Sequence, residues 1–243
     1  MSKVRLRDFL LTQKIHPMKK LFVVVLNLVF VNATFSQQIE TRQVGSFQGI
    51  KSSQAIDVYL KKGSKEEVKV EVTNGRMADV LTDVSGSVLR IRMRDGSYRK
   101  INVKVYVTYL KMEKIAASSA SNVFSEGQII TPSMSISASS AASIEVSLDA
   151  DITKVDASSA ANVQLEGKSK RLEVEASSAG DVDAYELSSE IVDANASSGA
   201  SVKVNVLKEI DGHASSGGSI KYRGTPSRTN TGSSSGGSVK KSH

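Results

Sequence analysis

The chain has 243 residues, room for one domain or two small ones. It contains no cysteine, which excludes disulfides, thiolate metal sites and a lipidated-cysteine anchor of the bacterial lipoprotein kind. Its net charge of +7 sits near the N-terminus: residues 1–36 carry six basic residues against Asp8. The remaining 26 basic and 24 acidic residues nearly cancel, which leaves no electrostatic case for binding nucleic acid.

Residues 1–17 carry no fold signal and read as a dispensable extension. Met18-Lys19-Lys20, the apolar run Leu21 to Val31 and the small residues Ala33, Thr34 and Ser36 make a signal peptide over 18–36, with Gln37 as the new terminus. The run is interrupted by Asn27 and is shorter than the roughly 20 residues a membrane span needs. The expectation is export without a stable span, to the periplasm, the outer surface or the medium.

From Gln37 to Leu110 apolar and polar residues alternate. Ile56, Val58 and Leu60 share one face, as do Val68, Val70 and Val72, then Leu89, Ile91 and Met93, then Ile101, Val103, Val105 and Val107. Period two over such runs predicts half-buried strands. Turn signals separate them at Lys62-Gly63-Ser64, Asn74-Gly75, Ser85-Gly86 and Asp95-Gly96-Ser97. Arg76 to Leu81 reads as one helical turn. The stripe Arg90, Arg92, Arg94, Arg99 and Lys100 reads as a solvated strand face, or as a contact for acidic glycan or lipid headgroups.

One phrase then recurs. It starts at Ala117, Ala138, Ala157, Ala176, Ala196, Ala214 and, degenerate, Ser233, at spacings of 21, 19, 19, 20, 18 and 19 residues. A near-constant period of about 20 is the mark of a solenoid, each repeat one coil. Each copy has Ser-Ser followed by two small residues, as in Ala160-Ala161. A residue that tolerates a left-handed backbone comes next (Asn122, Ser143, Asn162, Asp181), then always Val or Ile: Val123, Ile144, Val163, Val182, Val202, Ile220 and Val239. A flexible linker gives no reason for a β-branched residue at a fixed offset. The pattern predicts strand, tight corner and strand, with small corner residues because neighbouring coils lie roughly 4.8 Å apart. Outward positions such as Glu145, Gln164, Asp183, Lys203 and Lys221 vary, as on a solvated wall.

With the leader, the segments Phe47-Gln48-Gly49-Ile50 and Ala55 to Leu60, and repeats of the kind Ser-Ala-Ala-Asn-Val, the chain resembles the auto-transporter adhesin head GIN domain family over about residues 45–222. The resemblance implies an all-β fold, a single-stranded right-handed parallel β-helix or β-solenoid of about 20 residues per coil, with the N-terminal β segment as opening coils or cap. It also implies a pectate-lyase-like shape without the catalytic residues, and adhesion as the role. The expected organisation is a β-solenoid domain over 37–224, repeats from about 112, and a terminal coil or flexible tail over 225–243.

Chemistry is sparse. His213, beside an Ala-Ser-Ser corner, reads as a surface residue, and no Gly-x-Ser-x-Gly elbow supports a triad. Asp149, Asp151 and Asp156 could form a calcium site or a glycosidase pair, and read more simply as a polar loop. No catalytic, cofactor or metal-binding residue is therefore assigned. The expected function is a non-enzymatic secreted or surface protein that binds glycans or surface proteins through its outer wall. The alternative is a polysaccharide-active enzyme of similar shape.

Overall fold

The computed structural model describes residues 37–242, and the extension and leader expected over residues 1–36 lie outside them. The N-terminal segment forms short strands: β1 (Gln37–Arg42), β2 (Gly49–Ser52), β3 (Asp57–Lys62), β4 (Glu67–Thr73), β5 (Val80–Ser85), β6 (Val88–Met93), β7 (Asn102–Tyr109) and β8 (Lys114–Ala117). A single 3-10 turn, Met77–Asp79, occupies the place of the expected helical turn. The repeats form long strands: β9 (Asn122–Ala138), β10 (Ser143–Ala157), β11 (Asn162–Ala176), β12 (Asp181–Ala196) and β13 (Ser201–Ala214). The strands β14 (Ser219–Gly224), β15 (Arg228–Ser233) and β16 (Ser238–Lys241) follow. Together they wind into a parallel β-solenoid of about seven turns, roughly 19 residues each.

The core follows from the fixed offset. Val123, Ile144, Val163, Val182, Val202 and Ile220 face each other rung by rung. Each is completely buried. Burying one such side chain stabilises the fold by about 1.5–3 kcal/mol. On the other arm of each coil Ile115, Ile136, Val155 and Val174 form a second buried column.

The corner differs from the expectation. The left-handed residues are not Asn122 or Asn162, which begin strands, but the pair before them: Ser159 has φ 52° and Ala160 φ 59°. Every repeat has this pair, from Ser119-Ala120 to Ser235-Gly236. Ala161 N–H donates to Ser158 O at 3.1 Å, so positive φ at both central residues closes a type I′ turn. The turns are also tied to each other. Ser158 N–H donates back to Ala138 O at 3.0 Å, and Ala160 N–H donates forward to Ser178 O at 3.1 Å. Lack of space is a constraint at Ala161, which is buried, but Ala160 is exposed and is limited by its torsion angle.

The solenoid also begins earlier than the repeats suggest. Ser52-Ser53-Gln54-Ala55-Ile56-Asp57-Val58 is another copy: Ser52 pairs with Ala117, Asp57 with Asn122 and Val58 with Val123. Gln54 and Ala55 have φ 67° and 55°, and Ala55 N–H donates to Ser119 O at 2.9 Å. The chain then leaves this coil. β6 lies parallel on β2 and β7 parallel on β3, which adds one more coil outside it. Antiparallel β4 and β1 extend from β7, and antiparallel β5 from β6. These strands form the N-terminal cap. At the other end, β15 pairs with β13 and β16 with β14, a last coil over 228–241.

Three substitutions test this geometry by urea unfolding. Ala160→Gly, the residue already present at Gly199, Gly217 and Gly236, should raise stability by about 0.5–1 kcal/mol, and Ala161→Leu should lower it by about 1–3 kcal/mol. Ser52 occupies a position where most later copies carry Ala, and its fully buried Oγ has no partner. Ser52→Ala should therefore raise stability by about 1 kcal/mol in urea unfolding.

Candidate functional site

Parallel register turns each outward position into a column along the solenoid. On the wall before the turns two columns run side by side. The first reads Arg90, Lys51, Ala116, Ser137, Asp156, Glu175, Asn195, His213. Its neighbour reads Val88, Gly49, Lys114, Ser135, Lys154, Glu173, Asp193, Asp211. The wall is thus basic near the cap, bare over Ala116, Ser135 and Ser137, and acidic beyond.

Long side chains at both ends and short ones between them leave a cleft of about 860 Å³. A second cleft of about 580 Å³ continues it past Asp156 and Glu175 to His213, so the two form one trough. Lys154 pairs with Glu173 at 2.8 Å where the signs change. Asn195 Nδ2 donates to Glu175 at 3.2 Å, and His213 Nδ1 lies 3.0 Å from Asp211. Gly49 lies against Lys114, whose Cβ would be 2.9 Å from a methyl group there, so the floor admits no side chain at that point.

On the wall after the turns, another column reads Tyr106, Tyr59, Phe124, Glu145, Gln164, Asp183, Lys203, Lys221. The three aromatic rings stack, with centroids 5.1 Å apart for Tyr59–Tyr106 and 5.4 Å for Tyr59–Phe124. The Lys69 ammonium covers the Tyr106 end at 5.1 Å from the ring centre. Its hydrogen bond to Glu71 pushes the Lys69 pKa up, so it stays charged. Burial, then the Glu71 carboxylate, pushes the Tyr106 phenol up, so that ring stays neutral beneath the ammonium. Further along, Lys203 bonds Asp183 at 2.9 Å.

The acids singled out in the sequence are not brought together. Asp149 pairs with Lys168 at 3.1 Å and Asp151 with Lys170 at 2.6 Å, while Asp156 faces the trough. Among the described residues no three His, Asp or Glu side chains are grouped to hold a metal ion. His213 has its aspartate, but no serine hydroxyl among the described residues hydrogen-bonds to it. Arg90 and Arg92 of the basic stripe pair with Asp83 at 2.8 and 3.3 Å. The aromatic column was not visible in the sequence, and only the pairing of β3 with both β7 and β9 assembles it.

A family model described as "Putative auto-transporter adhesin, head GIN domain" matches residues 46–226. The chain belongs to that family. The GIN domain begins just before β2 and ends after β14, so it holds the aromatic column and all of the trough but the edge formed by Gly232, Ser233 and Ser234. A structure of a "putative adhesin" from Bacteroides fragilis is similar, with TM-score 0.78 and 18% identity over 85% of this chain and 97% of that one. A "putative lipid binding protein" from Parabacteroides distasonis superposes with TM-score 0.68 at 13% identity, over 86% of this chain and 98% of that one. A "putative adhesin" from Parabacteroides merdae gives 0.64 at 15%, with the same coverage. At these identities the likeness establishes the fold. No curated protein matches significantly. Membership of the family supports an adhesin-like role at the cell surface. No helix among the described residues is long and apolar enough to cross a membrane.

The ion-paired state of Asp149 and Asp151 makes a further prediction. Millimolar calcium should leave the melting temperature unchanged. A calcium-dependent rise that is lost in Asp151→Asn would contradict the assignment of these acids to surface ion pairs.

Proposed function

We propose that this GIN domain is a non-enzymatic adhesin head that holds a glycan or a protein in the trough on its pre-turn wall. The observation that carries this is the segregation of charge along a rigid floor. Lys51, Arg90 and Lys114 stand at one end, and Asp156, Glu173, Glu175 and Asp193 at the other. About three rungs of roughly 4.8 Å, on the order of 14 Å, separate Lys51 from Asp156. A ligand spanning that distance meets both signs and is held in one orientation. The floor strands are paired in register from coil to coil, so the wall is already in place to receive a ligand.

The test is binding of the secreted protein to a glycan array and to a panel of purified surface proteins, over a range of salt. Binding should weaken as salt rises, because the contacts are exposed charges. The pair Lys51→Glu with Lys114→Glu should abolish binding, as should Asp156→Lys with Glu175→Lys, with circular dichroism unchanged. A ligand indifferent to both pairs would overturn the assignment. So would polysaccharide cleavage that disappears in Asp156→Asn.

A further inference from the structure

We infer that the exposed face of Phe124 is a subsite for a single pyranose ring of a glycan. It lies across the column of turns from the trough, and the two assignments can fail separately.

The stack Tyr106, Tyr59, Phe124 is closed at one end by Lys69, and at the other its next rung is the exposed side chain of Glu145. Tyr59 covers one face of the Phe124 ring, and the opposite face lines a cavity of about 220 Å³. That is below the about 300 Å³ at which clefts take drug-sized ligands, and it suits one small ring. The remaining lining is polar in the way a sugar requires. Glu145 and Gln164 continue the Phe124 column, and Glu166 and Glu186 stand beside them. Of these carboxylates Glu186 is paired, with Arg223 at 3.1 Å, whereas Glu145 and Glu166 make no ion pair among the described residues.

A pyranose has one face of C–H groups and a rim of hydroxyls. Laid on Phe124, its C–H face covers an aromatic surface that water otherwise wets, and it becomes the next rung of the stack. The hydroxyls then reach Glu145 on that rung and the Gln164 amide and Glu166 one rung beyond it, which supply hydrogen-bond acceptors and a donor. Glu145 occupies the same rung and is exposed, so it is free to swing aside and accept a bond from the rim. The acidic lining disfavours sulfated sugars and uronic acids, so the class is neutral or amino sugars.

The experiment is saturation-transfer NMR on the full protein with the methyl glycosides of glucose, galactose, mannose and N-acetylglucosamine at millimolar concentration. Transfer to the C–H protons of at least one glycoside is expected, with shifts in the Phe124 ring signals. Phe124→Leu keeps apolar volume but removes the flat face, and should weaken binding about five- to tenfold, while Phe124→Tyr should retain it. Thermal melting checks that both variants are folded. Lys114→Glu, in the trough, should leave this binding unchanged. No transfer to any glycoside, or equal binding by Phe124→Leu and the parent protein, would overturn the inference and leave the trough assignment untouched. A trough ligand indifferent to both charge-reversal pairs, with glycoside binding intact, would overturn only the trough.

Discussion

The solenoid depends on a backbone state that a single coil cannot hold alone. Two successive residues with side chains, such as Ser159 and Ala160, take left-handed torsions. Each costs about 1–2 kcal/mol relative to ordinary backbone. One turn has three hydrogen bonds to set against this: its own closing bond, one to the coil before and one to the coil after. At about 1 kcal/mol each these return roughly the same amount. Two of the three exist only in a stack. Each turn is therefore close to neutral with neighbours and unfavourable without them, which is the cooperative behaviour of repeat proteins.

The turns also decide where function can sit. They divide each coil into an arm before and an arm after, and parallel register makes every offset a column. A side chain on one wall has its equivalents about 4.8 Å above and below it, not scattered over the surface. A column is thus a surface whose chemistry can be graded: base to acid along the trough, aromatic to acid to base on the other wall. Exposed ion pairs such as Lys154–Glu173 contribute little to stability. The outward columns can vary without loss of the fold, and that freedom lets one scaffold carry different recognition surfaces.

Much of the fold was legible in the sequence, because its driving force is periodic. The invariant Val or Ile after each corner marked the buried column, and the alternation at Val68, Val70 and Val72 marked a cap strand. The corner itself was legible as the run of small residues, but its left-handed residues were placed two or three positions too late, since Asn and Asp are the usual bearers of positive φ and here Ser and Ala take it. The copy at Ser52 was hidden because Gln54 and Ile56 break the small-residue phrase and an excursion through β4–β7 separates it from the next copy. Functional columns were less legible still. The outward positions of the repeats looked merely variable one copy at a time. Tyr59, Tyr106 and Phe124 are far apart in sequence and stack only because β3 is held between β7 and β9.

Residue-resolved hydrogen exchange at the turns distinguishes amides tied between coils from amides left to water. Among the described residues Ser159 N–H has no hydrogen-bond partner, whereas the N–H of Ala160, an equally exposed residue, donates to Ser178 O of the next coil. A repeating pair is expected along the turns: a fast amide at Ser119, Ser140, Ser159 and Ser178, and a slow one at the following alanine. Alanine amides that exchange as fast as the serines beside them would mean that the turns are not tied coil to coil, and would contradict the account.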